Sequence, residues 1–454
     1  MPARATKMST AITSGSPAIT RTDPGMMADH RARHLRQSSL AALALSFAVL
    51  PSGALAQEIP DGVGVADRVR PEFQPVGGRV GSFFIYPEIE ATVELDDNVF
   101  ASEDDRKSDA IGTLEPSVRL QSSWSRHMVR ATARYRLTRF ADNSSENTDE
   151  YGVGFSGRLD TGSSADIRVR LEADRLAEER YDIASPSASE SPIQYGRLLA
   201  SLQARQRLGR FNAIVGASVR TLDFEDNRTR DGEPIDGDIR NVDVVSGDLT
   251  VSYGGGAAFR TFVRGAVEKR SYPFGPEDAD FDPTVNFNRD SEGFRLEGGI
   301  SVEIRDRLYG NVRAGYLVQN YDDPQLRDID GFSFGADLLW NPTLLTSARL
   351  AVSRAVDLNT SVQNAGNLRT SYSLVVSHEL RRNIVLTGAG TFATISPVGP
   401  GENSREYEAS AGVTYLLNRR YSLAAGLIHR SRSSDDPNLR FDANRAVLTL
   451  RARF

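Results

Sequence analysis

The chain has 454 residues, 25% of them charged, with a net charge of -6 and a mean hydropathy of -0.37, which excludes a bundle of membrane-spanning helices, each needing roughly 18 or more apolar residues in a row. The acidic balance, without a clustered basic surface, argues against nucleic-acid binding, and zero cysteines exclude disulfides, thiolate metal sites, a cysteine nucleophile and a lipoprotein anchor. A closed β-barrel passes these tests, because only alternate residues of its strands face lipid.

In chain order, Arg31, Arg33 and Arg36 precede an apolar run at 39–50, and Ala54-Leu55-Ala56 follows. A positive end, a short apolar core and a small-x-small site read as a signal peptide cleaved after Ala56, with Ala54 and Ala56 as the recognition residues. The apolar run is too short to span a bilayer. Residues 1–25 are featureless, so the reading places the true start at Met26 or Met27. Residues 57–81, rich in Pro and Gly, read as a periplasmic lead, and 82–454 as the barrel.

From Ser82 onward apolar and polar residues alternate in runs of about ten to fourteen, the period-2 pattern of strands with two unlike faces. In 128–138, Val129, Ala131, Ala133, Tyr135 and Leu137 share one face, and Arg130, Thr132, Arg134, Arg136 and Thr138 the other. In 165–174, Ile167, Val169 and Leu171 oppose Arg168, Arg170 and Glu172; in 294–304, Leu296, Ile300 and Val302 oppose Arg295, Glu297 and Glu303. A soluble sandwich core has no use for an arginine face.

Short connectors at 124–127, 161–164, 208–210, 254–256, 306–307, 341–344, 381–383 and 418–420 alternate with long ones near 96–110, 141–149, 178–192, 225–240, 273–290, 322–329, 357–366, 397–404 and 433–440. That alternation is the mark of an all-β, single transmembrane antiparallel up-and-down β-barrel of about 18 strands, with 16 as the alternative. Aromatic residues near segment ends, among them Phe83, Phe84, Tyr86, Trp124, Tyr151, Tyr253, Tyr272, Trp340, Tyr415 and Tyr421, read as interfacial girdles. In the last strand Leu448, Leu450, Ala452 and Phe454 face one way, and Thr449, Arg451 and Arg453 the other. An amphipathic last strand ending on Phe resembles the signal that delivers barrels to the outer-membrane insertion machinery.

Several strand-end features resemble the β-barrel porin type 2 family of proteobacterial outer-membrane proteins, over nearly the whole chain after the leader. They are Phe83-Phe84-Ile85-Tyr86-Pro87 leading to Asp96-Asp97-Asn98-Val99-Phe100; Ser122-Ser123-Trp124-Ser125-Arg126-His127; Tyr321-Asp322-Asp323-Pro324 with Asp330-Gly331; Trp340-Asn341-Pro342-Thr343; His378-Glu379-Leu380; and Thr414-Tyr415-Leu416-Leu417-Asn418-Arg419. The resemblance implies a cell outer-membrane location among lipid and lipopolysaccharide, and an association with exopolysaccharide and periplasmic export proteins. It brings no catalytic residue.

After the leader only His127, His378 and His429 remain as histidines, each at a separate turn or strand end, and no nucleophile and base stand together. The chain therefore reads as no enzyme, with no cofactor or metal, and Gly254-Gly255-Gly256 reads as a turn rather than a phosphate loop. Arg130, Arg134, Arg136, Arg168, Arg170, Arg260, Arg264, Arg295 and Arg313 read as lumen-lining, a ladder suited to anions and to carboxylate recognition by guanidinium forks. Glu172, Glu297 and Glu303 are placed to pair with such arginines instead. The acidic loop stretches, such as Glu103-Asp104-Asp105, read as solvated tips.

Three functions fit: a passive channel, serving as an export conduit for an acidic exopolysaccharide or as a diffusion porin; a closed structural or adhesive barrel; or an outer-membrane hydrolase. An open Arg-lined bore favours the first, loops folded inward the second, and a His-centred cluster at the outer rim the third.

Overall fold

The structure is a computed structural model and describes residues 62–454 apart from 184, 186–187, 255–257, 280, 284–285, 305–306, 358–365 and 399–400. The leader with Ala54 and Ala56, both candidate starts, Gly255-Gly256, Asp306 and most of the 357–366 loop lie outside the described residues.

Eighteen long strands form the barrel. They are β1 Phe83–Asp96, β2 Asp109–Ser122, β3 Met128–Phe140, β4 Thr148–Asp160, β5 Ala165–Ala177 and β6 Gln194–Leu208. Then come β7 Phe211–Phe224, β8 Val242–Tyr253, β9 Phe259–Ser271, β10 Ser291–Ile304, β11 Leu308–Tyr321 and β12 Ile329–Thr343. The last six are β13 Thr346–Asp357, β14 Gly366–Arg381, β15 Ile384–Val398, β16 Ser404–Leu416, β17 Tyr421–Ser434 and β18 Phe441–Arg453. Each pairs antiparallel with its sequence neighbour, and β1 pairs with β18 from Glu88↔Arg453 to Asp96↔Arg445, which closes the sheet and leaves no long edge. Thirteen residues at a rise of about 3.3 Å, tilted roughly 40°, span about 33 Å, enough for a bilayer core.

The two faces follow the sequence alternation. Outward residues such as Val93, Val153, Leu202, Val263, Leu296, Leu427 and Leu448 are exposed large apolar side chains in a continuous band, the surface lipid covers. At the short-turn end Trp124, Phe211, Tyr253, Phe259, Trp340, Tyr415 and Tyr421 stand exposed, and at the long-loop end Tyr135, Tyr151, Phe294, Tyr316, Phe332, Tyr372 and Tyr407. Three aromatic expectations are corrected. Tyr272 is buried inside against Val242 and Val244, with the Arg289 guanidinium 4.2 Å from its ring, because it shares parity with the inward Arg270. Phe84 and Tyr86 share the inward parity of Glu88, and Arg119 stacks 4.5 Å from the Tyr86 ring.

Replacing Leu448, in the middle of β18, by arginine is expected to destabilise the barrel by about 2–4 kcal/mol, read as a lower urea midpoint in refolding. The same change at the inward Thr449 is expected to cost much less.

The short turns are tight. Gly209, at φ 61, turns the chain between β6 and β7. His127 takes φ 63, held by its N–H donating to Asp160 at 2.9 Å while its Nδ1 accepts from the Asp160 N–H at 3.1 Å. The turn expected at 341–344 lies instead at Leu344-Leu345, between the paired Thr343 and Thr346. A register shift between Trp340 and Thr343 accommodates Pro342, which has no N–H to give to the ladder.

Residues 62–77 lie against the inside of the short-turn rim. Val65 is fully buried and donates its N–H to Ser347 Oγ at 2.8 Å, and Gly64 fits between Leu339 and Ser347. Arg70 pairs with Glu379 at 2.7 Å, both nearly buried, and donates to the Val65 carbonyl at 3.0 Å. Glu72 meets Arg382, whose guanidinium lowers the Glu72 pKa. This strap follows the wall across β12 to β14 and ends in a short strand, Gly78–Val80, that pairs with Phe83 to Ile85.

Candidate functional site

The strand register puts the candidate arginines on the inward face. Arg130 faces Gln121 and Ser156 across the strands, Arg134 Ser117, and Arg136 Glu150. On β5, Arg168 and Arg170 share the face of Asp166 and Glu172. Arg260, Arg264 and Arg295 of β9 and β10 and Arg313 of β11 complete the set, Arg264 directly opposite Glu297 and Arg313 opposite Gly299.

Most of these arginines carry a carboxylate partner. Arg134 pairs with Asp174 at 3.0 Å, Arg136 with Glu115 at 2.7 Å and Glu150 at 3.4 Å, Arg168 with Asp166 at 2.7 Å, Arg170 with Glu172 at 2.5 Å, and Arg260 with Glu303. Arg264 and Arg313 flank the buried Glu297 at 3.8 and 3.6 Å, and Ser333 donates to it at 2.7 Å. Arg130 donates to Gln121 at 3.2 Å. Arg295 has no ion pair or hydrogen bond among the described residues. The wall is thus lined by paired charges, and its net field is smaller than the arginine count suggests.

Glycine niches hold these side chains flat against the wall. A Cβ at Gly335 would stand 2.7 Å from the Arg313 guanidinium carbon, and one at Gly152 or Gly216 would overlap the carboxylate of Asp174 or Asp248. Flattened side chains leave space inside, and a cavity of about 1180 Å³ opens among Arg170, Arg197, Arg220, Arg264, Arg270 and Arg295 on one side and Arg369, Glu406, Glu408 and Arg430 on the other. Arg197, Arg220, Arg270, Arg369 and Arg430 were not among the sequence candidates, although each shares parity with an inward neighbour.

The segment between β5 and β6 folds inward over this cavity. Arg180 pairs with Glu146 at 2.8 Å and Arg240 with Glu178 at 2.5 Å, all four nearly buried, and Ser189 is fully buried. At its inner end Tyr181 packs on Phe441 with ring centroids 5.2 Å apart, between the guanidinium groups of Arg430 and Arg445 at 5.2 and 5.1 Å. Its single hydroxyl proton is shared between the Asp96 carboxylate at 2.6 Å and the Asn98 carbonyl at 2.8 Å, and Arg432 donates to its carbonyl at 2.5 Å. Burial, then the nearby Asp96 charge, raises the Tyr181 pKa, so the hydroxyl keeps its proton and stays a donor.

The three histidines remain apart. His127 is in the β3 turn, His378 contacts Thr346 at 3.0 Å, and His429 contacts Asn444 at 3.0 Å on the outer face. No group of three or more His, Cys, Asp or Glu suited to a metal ion occurs among the described residues. Leu448, Leu450 and Phe454 are exposed on the outside, Ala452 shares their parity, and the Phe454 N–H donates to the Pro87 carbonyl at 3.0 Å.

Solved structures similar to the chain are outer-membrane barrels. OccK2 (OpdF) of Pseudomonas aeruginosa is 10% identical with a TM-score of 0.42, over 82% of this chain and 98% of its own; the same porin in complex with glucuronate gives 10% and 0.43, over 83% and 100%. The siderophore receptor PirA of Acinetobacter baumannii is 6% identical with a TM-score of 0.45, over 82% and 80%. No curated protein matches the chain. Residues 70–454 match the family described as "Putative beta-barrel porin 2", and with a closed barrel of eighteen strands around a guanidinium-lined bore the chain belongs to that family, as a porin-like channel of the outer membrane.

Proposed function

We propose that the lumen is a size-limited diffusion path for small charged solutes, carboxylates foremost, rather than a wide conduit for a polymer. The observation that carries this reading is the inner cavity, walled by guanidinium groups and covered from the extracellular side by the Tyr181 segment. A polymer conduit needs a bore free along its length, whereas here one end is partly covered by that segment and the periplasmic rim is lined by the strap. Paired charges along the wall keep the bore hydrated without a deep electrostatic trap, so that solutes can leave as well as enter.

Refolded protein in planar bilayers tests the proposal through single-channel conductance, reversal potential in a salt gradient, and block by glucuronate and by an acidic oligosaccharide. Modest anion selectivity, partial block by the monosaccharide and exclusion of the oligosaccharide are expected. Passage of the oligosaccharide would instead favour exopolysaccharide export, and an intact barrel without current would favour the closed scaffold.

A further inference from the structure

Arg295 differs from the other ladder arginines in what surrounds it. Its cross-strand neighbours on β9 and β11 are Ala266 and Leu317, both apolar, so no carboxylate stands directly across the strands from it. The nearest acid along its own strand, Glu297, is engaged by Ser333, Arg264 and Arg313. Glu268 on β9 is taken by Arg270 at 2.6 Å, and Asp248 lies 3.8 Å from Arg264. Arg295 is half-buried and borders the cavity together with Arg264, and the wall directly beside it carries the apolar Ala266 and Leu317.

We infer that Arg295 is the primary carboxylate contact of the lumen, and that it selects carboxylates with an apolar or ring-shaped body; this rests on the reading of the lumen as a solute path. A carboxylate meeting a paired arginine must compete with a resident acid, which offsets most of the gain. At Arg295 the guanidinium fork offers a bidentate, charge-assisted contact with no hydrogen-bonded acid to displace. The apolar Ala266 and Leu317 beside it give the body of a solute a non-polar wall, which acetate cannot exploit and a ring can. The neighbouring arginines Arg264 and Arg313 add to the positive field at that point, which favours the anion over its protonated form.

Arg295→Gln and Arg295→Lys are compared with the wild type and with Arg139→Gln, a change on the outer face. Block of potassium chloride current by benzoate and by acetate is measured in bilayers, and benzoate binding to the folded barrel in detergent by isothermal titration. Folding is checked by heat-modifiable migration on gels. Benzoate is expected to act at lower concentration than acetate, and its half-blocking concentration and dissociation constant are expected to rise about tenfold in Arg295→Gln. Arg295→Lys, which keeps the charge without the fork, is expected to lie between, and Arg139→Gln to match the wild type. Equal benzoate binding in wild type and Arg295→Gln would overturn the inference while leaving the channel intact, and equal block by benzoate and acetate would overturn the part about the apolar body. A wild type that passes no current yet binds benzoate through Arg295 would remove the diffusion path and keep the site.

Discussion

Tyr181→Ala is expected to open the barrel, raising single-channel conductance above the wild-type level and removing brief closures. The ring on Phe441 contributes about 1 kcal/mol, each flanking guanidinium at least about 0.5 kcal/mol, and the hydroxyl on the Asp96 carboxylate about 1.5 kcal/mol or more. Together these reach about 3.5 kcal/mol, so their loss reduces the preference for the inward position by roughly two and a half powers of ten. Tyr181→Phe removes the hydroxyl alone and is expected to give conductance and closure frequency between those of wild type and Tyr181→Ala. Conductance and open-channel noise identical to wild type in both variants would mean that the segment does not limit flow. Deletion of the whole segment would be a poorer test, since Arg180, Glu146, Glu178 and Arg240 form buried pairs whose disruption would disturb the rim.

Glu379→Gln is expected to release the strap. Arg70 is 7% exposed in its side chain and Glu379 15%, and removing one partner of such a pair costs about 3–5 kcal/mol because the other charge is left buried. Undocking relieves that cost, since Arg70 can then reach water, but it also exposes Val65 and breaks the bond to Ser347. Limited trypsin digestion of the folded barrel reads the outcome. Cleavage after Arg68 or Arg70 is expected in Glu379→Gln and not in wild type, and an Arg70→Glu, Glu379→Arg exchange is expected to restore protection. Cleavage at equal rates in all three would show that the pair does not hold the strap.

The strands and the inward set of arginines were legible because both depend on parity, which the sequence carries residue by residue. Arg130, Arg134 and Arg136 alternate with apolar residues, and the ladder leaves them no other side. The same rule would have moved Tyr272, two residues after Arg270, to the inside, where the aromatic-girdle reading had placed it outside. Turn positions were legible to within a residue or two except where Pro342 forces a register shift. The Tyr181 latch and the strap were not legible. Tyr181 meets Asp96 and Arg432 across 85 and 251 positions of sequence, and nothing periodic links a loop residue to a strand so far away. Nor could alternation reveal which arginines are neutralised, since pairing depends on residues such as Asp174, which serves Arg197 on the neighbouring strand and Arg134 two strands away, across Gly152.

The short strand at Gly78–Val80 bears on how the barrel measures its own circumference. It pairs with β1 at Phe83 to Ile85, while β18 starts its pairing at Glu88, and the Phe454 N–H takes the carbonyl of Pro87 between them. One edge of β1 is therefore shared end to end by the two extremities of the fold, with a proline at the border where the ladder loses a donor. A sliding β18 would run into an occupied place on one side, and each two-residue slip would also separate Glu90 from Arg451 and Glu94 from Arg445. The stagger of the closing seam, and with it the tilt and width of the whole cylinder, is thereby fixed by a local hairpin that can form before the last strand arrives.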